Sequence, residues 1–486
     1  MRSLKIHRLP LPALRRLLLA LAVAVGLSAC SLAPVYQEPP LPLPAAFKEA
    51  GDWEPATPAD DAPRGDWWMV FDDPVLNELA GAVQVSNQNV AAASAAYAQA
   101  RALVAGQRAS LFPTVSLDAG ADRGGSSISS SSSSASSVSS GGNAARVRNT
   151  YQASLGASWE PDLWGRLRGG VESATASAAA SEADLASATL SAQGELVANY
   201  LNLRETDVQS ELLQATIAAY QRVRQITQNR YDAGVIPKTD LLQAETQLAS
   251  AQADQVGLQR QRAQLEHAIA VLVGKTPADF SLPPVAWSPN VPAIPLVLPA
   301  TLLQRRPDIA GAERRVAAAN AGIGIARAGY FPSIGLTASY GYGASRVGDL
   351  FNASAAAWSL GLSLAQRIFD AGAVSAQVAS ARAAQERAAA QYRQTVLVAF
   401  QDVEDQLAAT RVLSLQLELR RAASTAADQV EQQVQNRYRA GQVSYTEVVT
   451  AQATALQARR TLAQLQADRQ VVAVALIQAL GGGWQR

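Results

Sequence analysis

Four short stretches of the chain alternate strictly between apolar and small or polar residues. Val115, Leu117, Ala119 and Ala121 alternate with Thr114, Ser116, Asp118, Gly120 and Asp122. Tyr151, Ala153, Leu155, Ala157 and Trp159 alternate with Gln152, Ser154, Gly156 and Ser158. Ile334, Leu336, Ala338, Tyr340 and Tyr342 alternate with Gly335, Thr337, Ser339, Gly341 and Gly343; Trp358, Leu360, Leu362 and Leu364 alternate with Ser359, Gly361 and Ser363. A period of two predicts strands with one apolar face, at about 112–122, 150–159, 332–344 and 356–365. Each is about nine to eleven residues, the length a tilted strand needs to cross a bilayer. Aromatic residues (Phe112, Tyr151, Trp159, Trp164, Phe331, Trp358, Phe369) gather near their ends, as interfacial girdles do.

Elsewhere the period is helical. From about Gly165 to Tyr231, and again from about Ala373 to Tyr438, there is no proline and little glycine. At 1.5 Å per residue each stretch makes a helix roughly 100 Å long. Shorter helices, roughly 50 Å each, are predicted over about Thr239–Val273 and Thr446–Leu480, and before the strands over about Val75–Ser110 and Pro299–Gly329. In the first of these, Leu241, Ala244, Leu248, Ala251, Gln255, Leu258, Arg262, Leu265, Ile269 and Leu272 recur three and four apart without a slip, a coiled-coil seam. Val448, Ala451, Ala455, Ala458, Leu462, Leu465, Arg469, Val472, Leu476 and Ala479 repeat it, and the many alanines allow close helix approach.

The chain is therefore a tandem duplication. Gln228-Asn-Arg-Tyr-Asp-Ala-Gly234 returns as Gln435-Asn-Arg-Tyr-Arg-Ala-Gly441, an offset of 207 that also aligns Glu195 with Asp402, Asp240 with Glu447 and Gly274 with Gly481. Upstream, Arg108, Phe112 and Pro113 align with Arg327, Phe331 and Pro332 at an offset of 219. The first repeat spans 75–280 with its turn at about 231–238, and the second 300–481 with its turn at about 438–444. Prolines 283, 284, 289, 292, 295 and 299 rule out a continuous helix in the linker between them, 281–299. A Ser/Gly-rich loop over 124–142 lengthens the first repeat, and residues 482–486 form a tail. Gly234 and Gly441 each end a long helix as a C′ glycine does, and Pro237 restarts one.

The first 29 residues stand apart. Arg2, Lys5, Arg8, Arg15 and Arg16 precede an apolar run from Leu17 to Leu27, too short to span a bilayer, followed by Leu27-Ser28-Ala29-Cys30. That is a signal peptide ending in what looks like a lipobox, which makes Cys30 the lipidated N-terminus of an extended segment, 30–74. Ser31 in place of Asp favours the outer membrane. Cys30 is the sole cysteine, so no internal disulfide forms. Without residues 1–29 the chain carries 36 basic against 40 acidic residues, which leaves no footprint for nucleic acid. No later apolar run reaches 18 residues, so a membrane crossing would have to be a closed barrel.

Four strands cannot close by themselves, and membrane barrels need at least about eight. Several chains must pool strands; two would give eight with a filled interior, three would give twelve with room for a polar lumen. These constraints require more than one chain without fixing three.

The residues here carry a resemblance to a known family. Trp67-Trp68-x-x-Phe71-x-Asp73-Pro74-x-Leu76, Arg305-Arg306-Pro307-Asp308-Ile309-x-x-Ala312-Glu313, Ala317-Ala318-Ala319-Asn320-Ala321, Phe331-Pro332 and both Tyr-x-Ala-Gly turns resemble the TolC-like outer-membrane factors, in their lipoprotein branch. The resemblance implies an α+β homotrimer, a twelve-stranded barrel continuous with a helical coiled-coil barrel in the periplasm. It implies a passive, gated channel in the outer-membrane lipid, served by a periplasmic adaptor and an inner-membrane pump, and exporting small molecules. A protein-secretion channel of the same fold, and a lipid-anchored coiled-coil scaffold without a pore, are the alternatives. In that family the periplasmic tip closes like an iris, and residues just after the second glycine ring the axis; those positions here are Glu447 and Thr450. Three symmetric Glu447 carboxylates would favour cations. Relatives often carry Asp at both positions, so Thr450 makes a less charged ring. Asp240, Tyr231 and Tyr438 match positions that link neighbouring helices in the closed state, and Gly234 and Gly441 mark where the adaptor hairpin docks. The plainer reading of Asp240 and Glu447 is as first-turn acids favoured by the helix dipole.

Catalytic chemistry is missing. One histidine, His267, follows the leader, so neither a metal nor a cofactor site is expected. No Gly-x-Ser-x-Gly or phosphate loop occurs. Gly322-Ile-Gly324 is read as helix packing, and Asp402, Glu404 and Asp405 as a solvated or pairing face. The chain reads as a non-enzyme.

Overall fold

The computed structural model describes residues 32–41, 44, 46–49, 65–126, 146–294 and 305–482. The leader, Cys30, most of the Ser/Gly loop and the tail beyond 482 lie outside these. Eleven main elements follow in order: α1 (Pro74–Ser86), α2 (Gln88–Ala109), β1 (Thr114–Ser126), β2 (Arg146–Trp159), α3 (Arg166–Asp232), α4 (Lys238–Leu272), α5 (Pro307–Ala328), β3 (Ser333–Ala344), β4 (Ala356–Ala365), α6 (Ala373–Arg439) and α7 (Tyr445–Ala479). Backbone contacts divide the chain into two units, one of 1–37, 100–178 and 315–388, the other of 38–99, 179–314 and 389–486.

The first unit holds the sheet. Its order is β1-β2-β3-β4, antiparallel throughout, so the hairpin of one repeat pairs with the hairpin of the other. The register puts like with like. Leu117 faces Leu155, Leu155 faces Tyr340 and Tyr340 faces Trp358; Ser116 faces Gly156, Gly156 faces Ser339 and Ser339 faces Ser359. One face is thus wholly apolar along its middle rows and the other small and polar, and a slip of one residue would mix them. The apolar face is bare: Leu117 is 77% exposed and Trp358, Leu360 and Leu362 are 74–77% exposed. At the helix-proximal end Trp164 stacks on Phe331, with centroids 4.8 Å apart, and its indole N–H donates to the Pro332 carbonyl at 2.7 Å. Trp159 donates to the Leu111 carbonyl at 3.0 Å.

Both 67-residue helices start behind an aspartate. Asp162 accepts from the Leu167 and Arg168 amides, Asp370 from those of Gly372 and Val374, which meets the orphan donors of a first turn.

In the second unit the expected single helix over Val75–Ser110 is two, broken at Asn87. Asp73 caps α1 by accepting from the Val75 and Leu76 amides, with Pro74 at the first helical position. Asn87 is 4% exposed; its Oδ1 caps α2 through the Asn89 and Val90 amides while its Nδ2 donates to the Leu272 carbonyl at 2.8 Å. In the second repeat Arg306, the residue that aligns with Asn87, does the equivalent thing: its Nη1 donates to the Ala479 carbonyl at 3.2 Å. Gly274 and Gly481 seal the two joints. Both have positive φ, +70° and +88°, and a Cβ on either would collide with backbone, Ser86 in one case and Arg305 in the other. Arg306 also pairs with Asp308 at 2.7 Å and Asp402 at 3.1 Å. Glu404 accepts from the Lys48 and Glu49 amides at 2.6 and 2.9 Å, and Asp405 from the Gln401 side-chain amide at 3.4 Å. The acidic trio on α6 is therefore a pairing face. The linker is held too: Arg204 and Arg262 donate to the Pro283 and Leu282 carbonyls, and Asp207 bridges the two guanidiniums at 3.0 and 2.7 Å.

Candidate functional site at the paired helix turns

The two turns are built alike. Val235 N–H bonds to the Arg230 carbonyl and Gly234 N–H to that of Tyr231; Gln442 N–H bonds to the Arg437 carbonyl and Gly441 N–H to that of Tyr438. This pair of bonds is the Schellman motif, which needs a left-handed residue at C′. Gly234 (φ +69°) and Gly441 (φ +71°) supply it, with open space where a Cβ would be. The turns are thus conformationally demanding but sterically free, and both are exposed.

Beyond the turns α4 and α7 begin, with Asp240 and Glu447 in their first turns, where the helix dipole favours an acid. Between the helices lies a small core of Ala244, Tyr445 and Val448, lined by Val223, Val434, Tyr438 and Val449. Tyr445 is 2% exposed; its ring lies 5.8 Å from that of Tyr438. Burial pushes the Tyr445 hydroxyl well above its ordinary range, with Tyr220, Tyr438 and Asp240 adding to the effect. Arg230 donates from Nη1 to the Tyr438 hydroxyl at 3.1 Å, and its guanidinium carbon sits 5.5 Å from the centre of the same ring. Tyr438 is therefore gripped twice, by a cation on the end of α3 and by an aromatic on the start of α7. Two further contacts cross the helices: Arg224 with Glu245 at 3.2 Å, and the Thr446 hydroxyl donating to Gln243 Oε1 at 3.2 Å.

The residues singled out from the sequence fall into two groups. Tyr438 is at the centre of these contacts. Tyr231, Asp240 and Glu447 have no side-chain hydrogen bond or ion pair among the described residues, and Tyr231 and Glu447 are exposed. Glu447 and Thr450 line an open groove of about 430 Å³ together with Val430, Val434 and Ala451. The Thr450 hydroxyl is turned onto its own helix, donating to the Thr446 carbonyl at 3.0 Å. Sequence reasoning passed over Arg230 and Tyr445. Arg230 stands inside the repeated Asn-Arg-Tyr motif and was open to the same reading as its neighbour. Tyr445 sits three residues before the seam position Val448, but Lys238 occupies the matching place in the first repeat, so the duplication conceals it. No cluster of three or more metal-ligating side chains occurs among the described residues, and none of their helices is long and apolar enough to cross a membrane.

Residues 79–275 and 298–482 match the family described as outer membrane efflux protein. The chain is 32% identical over 471 residues to the probable efflux pump outer membrane protein TtgC of Pseudomonas putida, covering 96% of each. It is 29% identical over 474 residues to the cation efflux system protein CusC of Escherichia coli, covering 96% of this chain and 99% of that one. Among solved structures, the outer-membrane channel OprN superposes with a TM-score of 0.82 at 31% identity, over 94% of this chain and all of that one. The open state of the Neisseria gonorrhoeae MtrE outer membrane channel gives 0.80 at 28%, over 93% and 98%.

Proposed function

Because the chain belongs to the outer membrane efflux protein family, we propose that it is the passive outer-membrane duct of a three-part efflux pump, exporting small molecules. The observation that carries this reading is the sheet. Its apolar face is bare, and β1 and β4 leave their outer edges unpaired among the described residues. In lipid every backbone group must be paired, so such edges have to be joined to other copies. Three copies pool twelve strands, putting the Leu117–Trp358 face against acyl chains and the rows of Thr114, Ser116, Ser339 and Ser359 around a lumen. A lumen lined by such small polar residues discriminates little; the inner-membrane pump sets the substrate. Relatives named for toluene and for cation efflux are in keeping with a shared conduit. Cys30 carries the lipid anchor, and the helices lie in the periplasm.

The turns form the closed end. Glu447 and Thr450, exposed in one chain, face their symmetry copies around the axis; Tyr438 ties neighbouring helices, and Tyr231 and Asp240, which make no side-chain bond among the described residues of one chain, would do so only in the assembled channel. Gly234 and Gly441 mark the surface on which the adaptor docks. No step makes or breaks a covalent bond. The test is conductance in a planar bilayer, comparing the purified wild-type protein with a Tyr231→Phe/Asp240→Ala/Tyr438→Phe variant. A small wild-type conductance that rises severalfold in the variant is expected. Large conductance in both would retain the duct and remove the gate; none from well-inserted protein would overturn the reading in favour of a scaffold.

A further inference from the structure

The two hairpins of the sheet are built to one plan. Thr114 faces Ser158 in the first and Ser333 faces Ala365 in the second, and the repeat offsets of 219 and 207 convert one pair into the other. The plan continues past the strand ends. The Trp159 indole donates to the Leu111 carbonyl at 3.0 Å, and at the matching positions the Gln366 side-chain amide donates to the Tyr330 carbonyl at 3.1 Å. Each hairpin then enters its long helix through a short connection, 160–165 or 367–372, that ends in a glycine of positive φ, Gly165 at +74° and Gly372 at +88°. The connections differ in what covers them. That of the first hairpin lies against the second: Leu163 and Trp164 are half-buried, and Trp164 stacks on Phe331 just ahead of β3. That of the second hairpin carries an aliphatic and an aromatic residue too, but β4 is the last strand of the sheet, and Ile368 and Phe369 are 96% and 89% exposed. Phe112, which matches Phe331 ahead of β1, is 67% exposed where Phe331 is 39%. The two halves of the aromatic contact thus stand bare at opposite edges of one sheet.

We propose that a second copy of the chain joins them in one register: its β1 pairs with β4 as β3 pairs with β2, and Ile368 and Phe369 close over its Phe112. The proposal rests on the pooled barrel of the duct described above, and adds to it which residues meet. Inside the chain Ala157 faces Ala338 and Leu155 faces Tyr340. Moved on by the same two offsets, these pairs become Leu364 opposite Ala119 of the neighbouring copy and Leu362 opposite its Ala121. All four belong to the apolar rows, and Ser363 falls opposite Gly120 on the polar face. A slip of one residue would have mixed the faces, so the offsets pass a check they were free to fail. Pairing along this seam satisfies the open backbone edges of both strands. The aromatic closure covers its helix-proximal end, where the strands give way to helix and the ladder stops.

The test is cysteine cross-linking of the full-length protein in bilayer discs, with the single substitutions as controls for links made through Cys30. Leu364→Cys/Ala119→Cys sets two thiols directly opposite across the seam, and Leu362→Cys/Ala119→Cys is slipped by two residues. Within one chain β1 and β4 are three strand spacings apart, about 14 Å, about twice the Cα separation that a disulfide spans, so every link joins copies. Under mild oxidation the first pair should yield linked chains on non-reducing gels about tenfold faster than the slipped pair, whose thiols are only diagonal neighbours. Phe112→Cys/Phe369→Cys should give the same linked chains with a short bis-maleimide, whereas Trp164→Cys/Phe331→Cys should react inside the chain and give none. Faster linking of the slipped pair would overturn the register. Linking of the first pair with none between 112 and 369 would overturn the closure and leave those rings to lipid. Trimers by native mass that link at no pair would overturn the seam alone, and monomers would overturn the seam together with the duct.

Discussion

Tyr438 gives the sharpest handle on the proposed closed end, because its contacts can be removed one at a time. Tyr438→Phe deletes the hydrogen bond from Arg230 and keeps the ring, so both the guanidinium above it and the packing on Tyr445 survive. A hydrogen bond to a charged donor at a half-exposed site contributes about 1 kcal/mol after solvent screening. Tyr438→Ala also removes a cation–π contact of about 0.5–1 kcal/mol and an aromatic pair of similar size, for a total of about 2–3 kcal/mol per chain. If three chains open together these sum to about 3 kcal/mol for Phe and at least about 6 kcal/mol for Ala. At about 1.4 kcal/mol per factor of ten, Phe raises the population of a rare open state about a hundredfold, and Ala makes it dominant. The assay is single-channel recording, scored as open probability. Arg230→Gln should match Tyr438→Phe, and the double variant should match either single one, since the two substitutions delete the same bond. Additive effects would show that the Arg230–Tyr438 contact is incidental, and identical open probability in wild type, Phe and Ala would refute a gate at these turns.

Other consequences are separable. Gly234→Ala and Gly441→Ala should each cost about 1 kcal/mol, because the left-handed backbone is strained but nothing is struck, and thermal melts should fall by only a few degrees. Gly274→Ala and Gly481→Ala add a backbone collision to the same strain and should lower the melt far more, with loss of the assembled oligomer on sizing columns. Glu447→Gln should move the reversal potential in a salt gradient toward zero, and Thr450→Asp away from it, with unitary conductance little changed. Glu205 is buried on α3 and desolvation raises its carboxyl above the usual range, against the weaker opposing bond from Gln209. A carboxyl whose folded pKa is raised binds its proton more tightly when folded, so it costs stability above that pKa and none below the unfolded value. Glu205→Gln should therefore raise the melting midpoint at neutral pH, with the gain vanishing as the pH falls through the carboxylate range; a constant gain at all pH values would assign it to packing.

What could be read ahead of the structure follows from which interactions are local. A period of two or of seven is written in consecutive residues, and the rows headed by Leu117 and Ser116 are those patterns carried across four strands. The break at Asn87 is not local. Val75–Ser110 has a helical period throughout, and asparagine inside a helix is only mildly unfavourable. What breaks it is the Leu272 carbonyl waiting for the Asn87 amide and the collar formed by Gly274, both about 185 residues away. Yet the second repeat displays the boundary that the first conceals. At the offset of 219, Asn87 falls on Arg306, and the next residue is Pro307, the kind that opens a helix rather than continues one. Reading each copy through the other would have placed the joint. The same comparison works in reverse at the turns. Everything the copies share there, the two Schellman bonds and the two glycines, is scaffold. What sets them apart, Tyr445 against Lys238 and the grip of Arg230 on Tyr438 alone, is where the proposed gate would lie. In a duplicated channel the loss of symmetry between the repeats, rather than the motif they hold in common, is the feature on which the proposed gate rests.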